Sequence, residues 1–197
     1  MKPPLLTTPR AVVTHFGCVE ARQLRRYFKE NAEHFAPWEP LRPAGFDDLP
    51  RIEERQTASL ADFDAGRAVH LVALDPEGRR VLAVCNFTHI ARGPFLACHL
   101  GYSVARAAEG QGLMYEVAAA AIAYMRDVVG LHRVMANHMP SNVRSARLLA
   151  RLGFEREGYA RAYIQIAGVW EDHVLNSLVF DDTGALPEAA RSAKGEP

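Results

Sequence analysis

The chain has 197 residues, enough for one domain with a sizeable core and short for two, since domains cluster near ~100–150 residues. Its 49% hydrophobic and 23% charged residues are those of an ordinary globular protein, which excludes the disordered and collagen-like classes. Lys plus Arg and Asp plus Glu number 23 each, so the formal net charge is zero and any nucleic-acid contact has to come from a local patch.

Pro3, Pro4 and Pro9 make residues 1–9 a loose N-terminal arm, and the polar, Gly/Pro-containing stretch 181–197 reads as a flexible tail. A single domain is expected over 10–180. Ala11 to Phe16 suits a first strand, followed by a helix over Glu20 to Phe35 whose Leu24, Tyr27, Phe28 and Phe35 fit a 3.6 period. Pro37, Pro40, Pro43 and Gly45 then enforce a loop. Asp47 or Asp48 can cap a second helix with Pro50 early in it, ending at Gly66. Val69 to Leu74 and Val81 to Phe87 flank Asp75-Pro76-Glu77-Gly78, a turn signal that predicts a hairpin.

In the next strand, Leu96 to Val104, one face carries Leu96, Cys98, Leu100, Tyr102 and Val104, and the other Ala97, His99, Gly101 and Ser103. Leu113, Val117, Ala121, Tyr124 and Val128 form the apolar stripe of a helix that Gly130 stops. Val134 to Asn137 is a short strand. Pro140-Ser141 opens another helix, which Gly153 ends, and Tyr159 to Ile166 and Val174 to Phe180 are strands joined by a turn near Ala167-Gly168. Antiparallel strands first and β-α-β-α-β later predict a mixed α+β or α/β fold with one central sheet.

Cys18, Cys85 and Cys98 are an odd number without a CxxC pair, which argues against a disulfide framework or a zinc site. No signal-like apolar run begins the chain, and the longest such run, Val117 to Met125, is about half a membrane span. The expected location is cytoplasmic, with no membrane anchor. His89, His99, His132 and His138 lack Cys or carboxylate neighbours at ligand spacing, so no metal is expected.

The most informative stretch runs from Tyr102 to Met114, where a strand passes through Gly110 and Gly112 directly into a helix N-terminus. Glycines let an anion approach the backbone, and the first helical turn offers unpaired N–H groups and about half a positive charge. Tyr115 occupies the place of the third glycine in a dinucleotide fingerprint, and a P-loop ending is absent.

Ala107-Ala108-Glu109-Gly110-Gln111-Gly112 resembles the acyl-CoA loop of the GNAT acetyltransferase superfamily. Asn142-x-x-Ser145 and Leu148 to Phe154 with Glu157-Gly158 resemble that superfamily's second cofactor segment. Pro37-Trp38-Glu39-Pro40, Leu100-Gly101-Tyr102-Ser103, His132 to Asn137, Met139-Pro140-x-Asn142 and Trp170 to Val174 narrow the resemblance to the RimJ-type ribosomal-protein-alanine N-acetyltransferases, over about residues 10–180. The chain departs from the superfamily pattern at Ala107, where Gln or Arg is usual; Arg106 stands next to it.

The resemblance implies a GNAT fold, with a mixed, mostly antiparallel sheet of about six to seven strands flanked by helices. It implies transfer of acetyl from acetyl-CoA, the cosubstrate, to the α-amine of a protein N-terminus, in the family that of a small-subunit ribosomal protein. The Arg22, Arg25, Arg26 and Arg144, Arg147, Arg151 groups are candidate patches for ribosome or rRNA contact or for cofactor phosphates, with a solvated helix face as their plainer role. The cofactor-binding candidates are Val104, Arg106, Glu109, Gly110, Gln111, Gly112, Leu113, Asn142 and Ser145. Asn142 and Ser145 have helix capping as their plainer role.

His99, on the small polar face where many members place a glutamate, is the candidate base. Tyr159 or Tyr163 is a candidate proton donor to the leaving thiolate, and Ser145 is a further catalytic candidate. Trp38 and Glu39 are the candidate acceptor-binding residues, Glu39 as counter-charge for a basic peptide. The cysteines sit in apolar contexts without a neighbouring base, which favours direct attack in a ternary complex. An α-amine, with a reference pKa near 7.7–8.0, reaches its neutral form at pH 7 for about 1 kcal/mol, against about 4–5 for lysine. Two rival readings are acetylation of a small amine (antibiotic, polyamine or amino acid) and a non-catalytic cofactor-binding ribosome-assembly factor.

Overall fold

The structure, a computed structural model, describes residues 3–180. Among them the chain order is β1 (Leu5–Thr7), β2 (Val12–His15), α1 (Ala21–Glu30), α2 (Ala32–Phe35), α3 (Leu49–Asp64), β3 (Val69–Leu74), β4 (Val81–Ala91), β5 (Ala97–Val104), α4 (Leu113–Asp127), β6 (Arg133–His138), α5 (Val143–Arg151), β7 (Glu155–Ile166) and β8 (Val169–Val179). The strands form one sheet in the order β1-β2-β3-β4-β5-β6-β8-β7. Every pairing is antiparallel except β5 with β6.

The sheet is covered on both faces. Leu113, Met114, Val117, Ala118, Ala121, Ile122 and Met125 of α4 are buried with Cys85, Phe87, Cys98 and Leu100 below them and Leu149 of α5 beside them. Leu24, Tyr27 and Phe28 of α1 and Ile52 of α3 pack with Val72, Leu74, Val81 and Val84 on the opposite face. Burying each large apolar side chain contributes ~1.5–3 kcal/mol. The alternation expected for β5 is realised: Leu100 goes to the α4 side, and Tyr27 reaches Ser103 from the α1 side.

Two expectations are corrected. The arm expected over 1–9 contains β1, paired from Leu5↔Thr14 to Thr7↔Val12, so the sheet has eight strands rather than six or seven. Its prolines lie outside the paired residues at the sheet edge, where a missing N–H costs no ladder bond. The helix expected over Glu20 to Phe35 breaks at Asn31, whose Nδ2 donates to the Tyr27 carbonyl at 2.8 Å and whose Oδ1 accepts from Arg106 N at 2.9 Å. An Asn side chain that bonds backbone competes with helix continuation. The tail expected over 181–197 lies outside the described residues.

The feature that positions the site is where β5 and β6 part. Their ladder holds only Ala97↔Arg133, Cys98↔Val134 and His99↔Met135. Beyond that last rung both strands continue unpaired with each other, β5 to Val104 and β6 to His138, and leave a wedge in the sheet.

Candidate functional site

A cleft of about 1450 Å³ passes through this wedge. Leu100 to Val104 form its floor, α4 and α5 one side, and α3 with the loop 36–46 the other.

On the α4 side the local sequence dictates the geometry. Gly110 and Gly112 both lie in the left-handed region, at φ 72° and 76°, and Gly112 is the N-cap of α4. A Cβ on Gly110 would meet nothing within 4 Å, and one on Gly112 only Arg10 Nη2 at 3.8 Å, so the backbone is open. No side chain caps α4, and the first α4 carbonyl bond is Glu116 N to Gly112 O. The preceding N–H groups are therefore orphan donors at a positive helix end, suited to an anion.

Three side chains hold this loop. Arg10 donates from Nε to Glu116 Oε2 at 2.7 Å and from Nη1 to Gln111 O at 2.6 Å. Glu109 pairs with Arg144 of α5 at 2.6 Å and lies 3.2 Å from His34 Nε2. Burial pushes the Glu116 carboxyl up, but hydrogen bonds from Thr8 and Arg10 outweigh it and hold the group below its ordinary value.

Val104, Glu109, Gly110, Gly112, Leu113, Asn142 and Ser145 line the cleft, together with Trp38 and Glu39. Asn142 caps α5, its Oδ1 accepting from Ser145 N at 3.0 Å. Ser145 Oγ lies 2.7 Å from the Tyr102 hydroxyl, across the wedge from α5 to β5. Burial pushes the Tyr102 phenol up to about 12, against the opposing effect of Ser145, so it stays protonated at neutral pH.

Other expected residues lie elsewhere. Arg106 and Gln111 do not line the cleft; Gln111 turns back to the Ala107 carbonyl at 3.3 Å. His99 sits on the last β5/β6 rung, before the wedge opens, with its ring 5.7 Å from that of His89. Burial, then the neighbouring His89, lowers its pKa, but it does not line the cleft. Tyr159 donates to Asp172 Oδ2 at 2.7 Å on the exposed β7/β8 hairpin, and Tyr163 accepts from Asn137 Nδ2 at 3.3 Å; neither lines the cleft. Glu39, expected as a counter-charge for a basic acceptor, is already neutralised by Arg42 at 2.7 Å.

The structure adds residues that local spacing did not reveal. On the α3 side His70 Nδ1 lies 3.1 Å from Asn86 Oδ1; with that oxygen as acceptor, the neutral ring carries its proton on Nδ1 and leaves Nε2 a free acceptor. Ser103 Oγ lies 2.9 Å from the Tyr27 hydroxyl, whose pKa burial raises. Asn86 is the β4 partner of Gly101 and His70 the β3 partner of Asn86, so two polar side chains stand in one row beside a position without a side chain. Cys85 and Cys98 are buried away from the cleft, and burial pushes both thiols up to about 12. Among the described residues no group of three His, Cys, Asp or Glu could hold a metal, and no helix is long and apolar enough to cross a membrane.

The acetyltransferase (GNAT) domain family matches residues 19–155. The ribosomal protein uS5-alanine N-acetyltransferase of Escherichia coli K12 is 43% identical over 178 residues, 90% of this chain and 91% of that protein. Among solved structures, the ribosomal-protein-S5-alanine acetyltransferase of Vibrio fischeri superposes with a TM-score of 0.85 at 32% identity, over 91% of this chain and 98% of the other. Mycobacterium smegmatis RimJ in complex with CoA-disulfide shares the fold, with a TM-score of 0.81 at 23% identity over 96% and 91% of the two chains.

Proposed function

Because the chain belongs to the acetyltransferase (GNAT) domain family, we propose that it acetylates the α-amine of a protein N-terminal alanine using acetyl-CoA, with ribosomal protein uS5, named for the Escherichia coli relative, as the first acceptor to test. The observation that carries the donor half is the open glycine pair leading into an uncapped helix N-terminus on the cleft wall. That arrangement fits a pyrophosphate, which needs close backbone approach and donors without competing partners. The acetyltransferase unit includes β1 and runs through residue 180, and the setting is the cytoplasm, beside the ribosome.

Acetyl-CoA, when bound, supplies an activated acyl carbon and a thiolate leaving group. Gly110, Gly112 and Leu113 hold its phosphates through backbone N–H groups, and Val104 and Asn142 border its pantetheine arm. Arg147 and Arg151, which line the cleft from α5, add positive charge on the same side. Ser145, backed by Tyr102, supplies the proton taken up by the departing sulfur.

The acceptor enters on the α3 side, past Trp38. Its α-amine needs only about 1 kcal/mol to lose a proton at pH 7, within reach of a modest base. His70, which lines the cleft beside Asn86, takes the place first expected for His99. The amine attacks directly, since the only cysteines near the sheet centre are buried protonated thiols away from the cleft.

Incubation with acetyl-CoA and a peptide library varied at its first two positions, beside a panel of polyamines, amino acids and aminoglycosides, tests this by mass spectrometry. Acetyl on the α-amine of alanine-starting peptides is the expected result. Unmodified peptides beside efficiently acetylated small amines would overturn it.

A further inference from the structure

Two arginines stand in the α3 half of the cleft, Arg42 in the proline-rich loop and Arg55 on α3. Phe46 lies against both, with Arg42 Cζ 4.6 Å and Arg55 Cζ 3.9 Å from its ring centroid, and Phe28 lies 5.4 and 5.0 Å from the same two carbons. The rings hold the two planar groups in fixed orientations.

Their electrostatic positions differ. Arg42 gives both Nε and Nη2 to Glu39 Oε2, at 2.9 and 2.7 Å, and is compensated. Arg55 donates from Nη2 to the Phe46 carbonyl at 2.9 Å, and its Nε is buried without a hydrogen-bond partner. Asp47 acts on it only from a distance, and it forms no ion pair among the described residues; burial and the like charge of Arg42 push its pKa down. A desolvated guanidinium without an acid is costly, and an arriving carboxylate relieves that cost through a charge-assisted, two-pronged bond.

The donor's phosphates have their own donors on the opposite side of the wedge, in the glycine loop and α5. The anion that meets Arg55 therefore comes with the acceptor.

Resting on the reading that the acceptor is a protein N-terminus, we propose that Arg55 is a specificity-determining residue that seats an Asp or Glu side chain lying a few residues after the acceptor's first. This reverses the charge preference expected from Glu39, whose carboxylate Arg42 has taken. Lysine cannot substitute fully for Arg55, because an ammonium lacks the planar fork and the stacking on Phe46.

The test uses the whole protein, acetyl-CoA and C-terminally amidated alanine-starting peptides in which one glutamate is walked through positions two to five, each with a glutamine counterpart. At one position glutamate is expected to lower the peptide KM by roughly tenfold or more relative to glutamine, in line with charge-assisted bonds. In Arg55→Gln that Glu/Gln ratio falls to about one, and in Arg55→Lys it is partly retained. Peptides acetylated with no preference for glutamate at any position, or an undiminished ratio in Arg55→Gln, overturn the assignment while leaving the acetyltransferase reading intact. If small amines are acetylated and no alanine-starting peptide is, the reading beneath it falls as well. The wild-type peptide series decides the matter even if a variant fails to fold.

Discussion

Between the Tyr102 hydroxyl and Ser145 Oγ, 2.7 Å apart, two oxygens share two protons at neutral pH, because burial keeps the phenol protonated. Whichever oxygen donates to the other, the pair retains one proton for an atom in the wedge. Replacing Tyr102 by Phe removes one hydrogen bond, worth about 1 kcal/mol of stability, but it breaks the relay proposed for the leaving sulfur. We expect kcat to fall on the order of 10²-fold in Tyr102→Phe and in Ser145→Ala, with the KM for acetyl-CoA within about twofold of wild type. Steady-state kinetics checks this, and an unchanged kcat in both variants removes the pair from the chemistry. Tyr102 was hidden in the sequence by its company: it falls on the apolar face of an alternating strand, between Leu100 and Val104. His99 misled for the opposite reason, since its face was read correctly but its height along the strand was not. Period-two alternation says which side a residue points to; only the ladder shows that the wedge opens one residue later.

The glycine loop and α4 form the element whose local rules are strictest. Gly112 needs φ 76° to cap α4, and a side chain there adds strain whatever the free space. Gly112→Ala should lower stability by about 1 kcal/mol, or ~2–4 °C in Tm for a chain of this size, since Ala tolerates the left-handed region poorly. Its Cβ also enters the space proposed for the pyrophosphate, so affinity for acetyl-CoA should fall at least about tenfold. Calorimetry on the folded variant measures both, and an unaltered Kd rejects this loop as the donor site. The loop was legible in the sequence because glycines with forced backbone angles, a strand before and a helix after, are all local information. Its supports were not: Arg10, Asn31 with His34, and Arg144 come from three separated segments, and their meeting depends on tertiary packing. Asn31 left one trace, a residue with a backbone-bonding side chain inside a helical pattern.

Across the whole molecule, stability has a built-in acid weakness at His15. This ring is fully buried at the end of β2, 5.0 Å from the Phe63 ring; Nδ1 accepts from Gly17 N at 3.1 Å and Nε2 lies 3.4 Å from Ser59 Oγ. Burial, then His70, holds its pKa down at about 4, against an opposing pull from Asp64. The unfolded chain, with a His value near 6.5, takes up a proton first as pH falls. The contribution is whole above ~6.5, shrinks toward pH 4 and is gone below it, a loss of order 2–3 kcal/mol. Urea midpoints at pH 7 and about 4.5 should drop further in wild type than in His15→Gln, which starts less stable; equal drops would clear His15 of that role. Fold class and strand succession were readable because they rest on hydrophobic period and turn residues. The eighth strand was not, since three prolines outweighed a short paired segment, and neither was the cleft wall proposed for the acceptor, assembled from α3, β3, β4 and a loop. One consequence of the parted strands concerns traffic. A sheet with every rung in place is a partition; here, beyond three rungs, the partition has a doorway. If donor and acceptor occupy the opposite rooms proposed for them, they touch only in that doorway, and the proposal then expects a spent donor to be exchanged while a long protein acceptor is still docked.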